Sequence, residues 1–255
     1  SIDISGLKGI TGDVGIELGK AVQSNKTDVS VQGSDAAEQI TYASAANLTD
    51  IKISGDLGAG ANTITVTPDT AAADLKTIDL SGLSATGGTL TSTITLHATN
   101  TAIESVKGSL GGDTIIVKDE NGKLAIDLGK DTAVDTVDVS AVKITTITSD
   151  DTIKADLVSI TNALSGDKIT LTGVTSIKDR GDLSNEATLK AALGKLGEAG
   201  NGTLVATTAE VFVWNGNTYV LDAAAAALAN DDLIVKLTGT VTFNENVVTN
   251  TITVA

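Results

Sequence analysis

The sequence predicts a mainly β chain: a stacked parallel β-solenoid, of the β-helix or β-roll kind, with a small C-terminal α+β domain. Three observations predict it. One is a short pattern at a fixed period, with Asp135-Thr136-Val137, Asp151-Thr152-Ile153 and Asp167-Lys168-Ile169 sixteen residues apart each time. Behind these openings Val139, Ala155 and Leu171 align, as do Val142, Val158 and Val174. Apolar residues two apart give the alternation of a strand. An acidic and a small polar residue before each strand mark a turn. So short a unit buries no face alone and has to stack on copies of itself.

The second observation is composition. Hydrophobic residues make up 41% of the 255 residues but aromatics only 2%, so a core must be built from Ile, Val, Leu and Ala. Thin stacked layers suit those side chains better than a thick sandwich does. The third is a looser repeat. Leu48-x-x-Ile51-x-Ile53-Ser54-Gly55 returns as Leu75-x-x-Ile78-x-Leu80-Ser81-Gly82 and again from Val134 to Ser140.

Taken in order, Ile2-Asp3-Ile4-Ser5-Gly6-Leu7 matches Ile78-Asp79-Leu80-Ser81-Gly82-Leu83 almost letter for letter, so the chain reads as a piece that opens inside the repeat. Val14 to Leu18 and Val29-Ser30-Val31 are short alternating strands, while Ser34 to Ala46 reads as either a loop or a short helix. Ile78/Leu80 and Ile94/Leu96 are again sixteen apart. About eleven turns of sixteen before Lys178, at ~4.8 Å each, give a rod on the order of 50 Å. Val137, Ile153 and Ile169 should then share one interior column.

The character changes after Asp179, which divides the chain into a repeat region, 1–179, and a terminal region, 180–255. Ser184 is placed to cap a helix carrying Ala187, Leu189, Ala192, Leu193 and Leu196, with Gly197 or Gly200 to end it. Val211 to Trp214 and Thr218 to Leu221 flank Asn215-Gly216-Asn217, a hairpin signal. Trp214, Tyr219, Phe212 and Phe243 gather here, and Tyr42 is the single aromatic before them.

The net charge of −15 argues against nucleic acid, whose phosphates demand the opposite sign. It fits an exported protein or a binder of cations. There is no cysteine and no methionine, as suits an oxidising place. No apolar run reaches the ~18 residues of a membrane span, and no signal peptide opens the chain.

No enzymatic activity is expected. His97 stands alone, opposite in phase to Leu96, and should point to solvent; Arg180, the single arginine, should pair with a neighbouring aspartate. No nucleophile elbow, zinc motif or phosphate loop is present. Calcium is the better chemical question. Gly108-Ser109-Leu110-Gly111-Gly112-Asp113-Thr114-Ile115-Ile116 fits the nonapeptide G-G-x-G-x-D-x-U-x at every fixed position except Ser109. A weaker copy has Asn62 in the aspartate position, and Asp151 and Asp167 end two more partial copies. Calcium ligation through Gly108, Gly111, Asp113, Asn62, Asp151 and Asp167 stands beside a plainer reading in which the aspartates only cap turns.

These degenerate repeats resemble those of RTX (repeats-in-toxin) proteins exported by bacterial type I secretion. Phe212 to Val220 and Asp231 to Gly239 resemble a C-terminal module of such exported surface proteins. The Thr/Ala/Gly/Asp-rich, thiol-free composition is similar to that of bacterial surface-layer proteins, with the Campylobacter-type subunits nearest in character. The resemblance implies a secreted, self-assembling subunit at the bacterial cell surface. Its partners would be copies of itself and, through a missing upstream region, outer-membrane lipopolysaccharide. It also implies an uncleaved export signal at Thr251, Ile252, Thr253, Val254 and Ala255, residues that read equally as a last strand. Two other readings stand behind it: a calcium-dependent adhesin for a host or surface glycan, and the non-catalytic tail of a secreted hydrolase.

Overall fold

The computed structural model describes residues 2–3, 14–18, 26–43, 48–68, 72, 74–118, 123–198, 203–230 and 232–255. The chain is mainly β. The first strands are β1 (Ile2–Asp3), β2 (Val14–Leu18), β3 (Lys26–Gln32), β4 (Glu38–Ala43), β5 (Asp50–Asp56) and β6 (Gly60–Thr67). Next come β7 (Thr77–Ser84), β8 (Gly88–Thr95), β9 (Ser105–Lys107), β10 (Gly112–Ile116), β11 (Leu124–Asp127) and β12 (Thr136–Asp138). Helix α1 (Asp150–Ala155) precedes β13 (Val158–Thr161), β14 (Lys168–Thr170) and β15 (Ser176–Asp182). Helix α2 (Leu189–Leu196), β16 (Thr208–Trp214), β17 (Asn217–Asp222), β18 (Leu233–Leu237) and β19 (Thr251–Thr253) complete the chain.

Up to β14 the strands go alternately to two sheets. The 11-stranded sheet runs β1-β3-β5-β7-β9-β11-β13-β18-β17-β16-β15, and the 8-stranded sheet runs β19-β14-β12-β10-β8-β6-β4-β2. Pairing between successive odd or even strands is parallel, so each passage between sheets is a crossover. Eleven strands at ~4.8 Å span roughly 50 Å of sheet. Only seven of those strands, β1 to β13, belong to the repeat region, roughly 30 Å of stack. The ~50 Å expected of eleven sixteen-residue turns before Lys178 is therefore not reached: the passes are fewer and longer.

Register puts like on like. Tyr42, Val66, Ile94, Ile115, Val137, Ile169 and Ile252 pair in sequence across the smaller sheet, all buried. Across the larger sheet Ile51, Ile78, Val106, Ile126, Ile160 and Leu237 do the same. One core holds both columns. Side chains alternate along each strand, so each passage delivers its aliphatic residues to the face between the sheets.

The expected column of Val137, Ile153 and Ile169 needs correction. Val137 and Ile169 are direct partners, but Ile153 is in α1, in a second core with Ile144, Leu157 and Phe212. A full passage takes a strand in each sheet and two corners, so same-sheet partners lie 21, 22 or 32 residues apart at Ser92–Asp113, Asp113–Asp135 and Asp135–Asp167. Sixteen is half the passage from Asp135 to Asp167. The middle copy carries a capping box: Ser149 Oγ accepts the Thr152 N–H at 3.3 Å, and Thr152 Oγ1 accepts the Ser149 N–H at 3.0 Å. Local capping made that copy a helix.

Three other readings shift. The segment from Ser34 to Ala46, read as loop or helix, contains β4, in which Glu38, Ile40 and Tyr42 are buried in alternation; residues 44–47 lie outside the described residues, as do Ile4 to Leu7, Gly200 and Asp231. Helix α2 starts at Leu189 with Thr188, not Ser184, as its cap, because Asp150 of α1 also accepts the N–H groups of Leu189 and Lys190 at 3.1 and 2.9 Å. Gly197 ends it as expected. Arg180 pairs with Glu210, across the sheet, and not with an aspartate.

The hairpin is as expected. Asn215 and Gly216 take φ of 48° and 71°, the left-handed pair that a two-residue turn needs, and Trp214 pairs with Asn217. The larger sheet continues through it, since β18 pairs in parallel with β13. On its outer face Phe212 stacks on Tyr219 at 5.3 Å between ring centroids, over α2. Among the described residues, no helix is long and apolar enough to cross a membrane.

Candidate functional site

The strand openings of the smaller sheet carry its polar chemistry. Ser92, Asp113, Asp135 and Asp167 occupy one register position on β8, β10 and the residues just before β12 and β14, and all four are buried. Each carboxylate satisfies the preceding strand. Asp135 Oδ1 accepts the Asp113 N–H at 2.7 Å, and Asp167 Oδ1 accepts the Asp135 N–H at 2.9 Å. Asp167 Oδ2 also holds its own turn, through the Leu164 N–H at 2.7 Å. Asp113 accepts the Ser109 N–H at 2.8 Å, the Ser109 hydroxyl at 2.9 Å and the Ser92 hydroxyl. The same device recurs earlier, where Asn62 Oδ1 accepts the Glu38 N–H at 2.9 Å.

Two glycines of the nonapeptide are required by close approach. A Cβ on Gly108 would fall 2.1 Å from Asp113 Oδ2, and one on Gly111 would fall 2.2 Å from the Leu90 carbonyl. The motif thus folds its turn tightly around Asp113. Both oxygens of that carboxylate already face N–H or O–H donors, the surroundings of a turn cap. A calcium ion there would need the Ser92 and Ser109 donors to turn away, so that oxygen lone pairs aim at it. Among the described residues, no three His, Cys, Asp or Glu side chains are grouped to hold a metal.

The column is electrostatically crowded. Burial pushes Asp113 up to about 6 against the hydrogen bonds from Ser92 and Ser109 that lower it. Burial pushes Asp135 up to about 8; the Asp113 N–H opposes this, and the charges of Asp113, Asp167 and Asp131 add to it. Asp131 is also raised, chiefly by burial, and its Oδ2 is buried without a hydrogen-bond partner. Chemically the column can hold turns and store protons.

Of the residues singled out in sequence, Gly108, Gly111 and Asp113 share one turn. Asp167 lies two strands further along the sheet, and Asn62 two strands back. Asp151 is apart from them, exposed in the first turn of α1. Thr251 to Thr253 form β19, antiparallel to β14, with Ile252 and Val254 buried. Val254 donates to the Asp167 carbonyl at 2.8 Å, and Ala255 to that of Thr242 at 2.9 Å. His97 is half-buried just past β8, its N–H bonded to Asn100 Oδ1 at 3.0 Å.

Sequence reading missed Ser92 as a member of the column, Asp131 as the charge beside it, and the partner of Arg180. Ser92-Thr93-Ile94 shares the polar-Thr-aliphatic pattern of Asp135-Thr136-Val137, which was the available signal. Arg180 and Glu210 form a two-pronged buried pair, Nη2 to Oε1 at 2.8 Å and Nε to Oε2. No protein-family model matches the chain, and no curated protein matches it.

Proposed function

We propose that this chain is part of a self-assembling structural subunit of a bacterial surface layer, a two-sheet β-solenoid whose work is to be stacked and tiled. One observation carries the reading: strands pass alternately between two parallel sheets, with matched aliphatic columns inside and a carboxylate or amide tying one pass to the next. Such a stack presents long sides rich in small polar residues, surfaces suited to contact between copies. The resemblance to exported RTX-type surface proteins adds type I secretion, a place on the cell surface and lipopolysaccharide as an anchor held by another region. Calcium enters this reading between copies, bridging exposed carboxylates, because the buried ones are engaged within the chain.

Negative-stain electron microscopy of the full-length protein in millimolar calcium tests it. Ordered arrays support a lattice subunit. Dispersed particles that bind glycans in a calcium-dependent way would replace this reading with an adhesin.

A further inference from the structure

We propose that the groove along the free edge of β15 takes an extended, basic peptide segment of a partner protein as an added strand. This stands independently of the self-assembly reading. β15 is the last strand of the larger sheet and is bonded on one side only, to β16. Alternate N–H and C=O groups of such an edge face outward and can pair with an arriving strand.

Beside that edge lies a cavity of about 630 Å³, between the inner face of β15 and β16 and the segment from Thr240 to Glu245. Its floor is apolar: Ile177, Val211, Val213, Val241 and Phe243. Ile177 and Asp179 are two apart on β15, as are Val211 and Val213 on β16, so all four share a face. A peptide in strand conformation would offer every second side chain to this floor.

Charge selects the occupant. Asp179, Asp182 and Glu245 rim the cavity, and among the described residues no lysine or arginine lines it. The nearby Arg180 is neutralised by Glu210 in a buried pair. The three carboxylates are not grouped to hold one metal ion. They are spread as separate cationic side chains of a strand would need. A second copy of this chain, at net charge −15, meets them with like charge. The register shift between Asp179 and Asp182 confines pairing to the first half of β15, so the added strand is short.

Fluorescence anisotropy on the full chain, with a labelled peptide alternating lysine and valine, reads this binding. Combining Asp179→Asn, Asp182→Asn and Glu245→Gln should weaken it roughly ten-fold at low salt, because the rim then offers the peptide's lysines no carboxylate partner. Glu104→Gln with Asp74→Asn, exposed acids outside the groove, should leave it unchanged. The same peptide with alternate backbone amides N-methylated should lose binding at least as strongly as the triple variant does. Absence of binding, equal binding of the N-methylated peptide, or equal weakening by the distant acids would overturn the proposal. So would a dimer of this chain that dissociates on making the triple variant.

Discussion

The backbone N–H of Asp135 donates to the carboxylate of Asp167, thirty-two residues later, at 2.9 Å. That bond crosses from one strand opening to the next in a column where Asp113 and Asp135 are both held above ordinary carboxylate values, near 6 and 8. The folded state therefore keeps protons that the unfolded chain releases near pH ~4. Between pH ~4 and ~8 folding binds protons, and stability falls as pH rises. Asp56, Asp79, Asp150 and Asp182 are lowered instead, so what they contribute is lost below pH ~4. Calorimetry should show the melting temperature highest near pH ~4–5 and declining towards pH ~8. The two-unit rise at Asp113 alone corresponds to roughly 3 kcal/mol. A melting temperature flat across this range would contradict the column.

Asp135→Asn isolates the charge from the hydrogen bond. An asparagine keeps an acceptor oxygen, as Asn62 does for the Glu38 N–H. The substitution should flatten the pH dependence and raise stability at pH ~8 by about 1–3 kcal/mol, while Asp135→Ala should lower it by about 1–3 kcal/mol through an unsatisfied N–H. Urea unfolding of both variants at two pH values checks the pair of signs.

Asp113→Ala removes the acceptor for Ser92 and for both donors of Ser109. The expected loss is about 2–4 kcal/mol, because buried donors are left unpaired. It should be the same in calcium and in chelator. A loss seen only in calcium would make Asp113 a metal ligand.

Ile252→Ala tests the chain's end as structure. Ile252 is fully buried opposite Ile169, so the substitution should cost about 2–5 kcal/mol in denaturant unfolding. An unchanged midpoint would mean that β19 is dispensable to the fold, leaving export as the reason for those residues.

The β class, the hairpin at Asn215-Gly216 and the pairing of Val137 with Ile169 were legible in the sequence, because each rests on alternation or on a turn whose residues are contiguous. The place of Ile153 was not. Its copy of the repeat has the same spacing as its neighbours, and only the Ser149-x-x-Thr152 capping pair marks it as helical. The carboxylate column was half legible. Asp113, Asp135 and Asp167 open similar strands, but their intervals of 22 and 32 residues follow from corners of unequal length, which no fixed period reveals. Arg180–Glu210 and the groove beside β15 join residues from separate elements, and nothing local in the sequence announces either.

The most direct test of the self-assembly reading is sedimentation velocity on the full-length protein, in millimolar calcium and in sodium chloride of matched ionic strength. At ~0.01 M salt the Debye length is ~30 Å, so acidic copies repel one another and should sediment as monomers. Calcium should drive them into large, chelator-reversible assemblies, and sodium should not, because screening supplies no bridging ligand. Monomers in both salts, or equal association in both, would contradict the account.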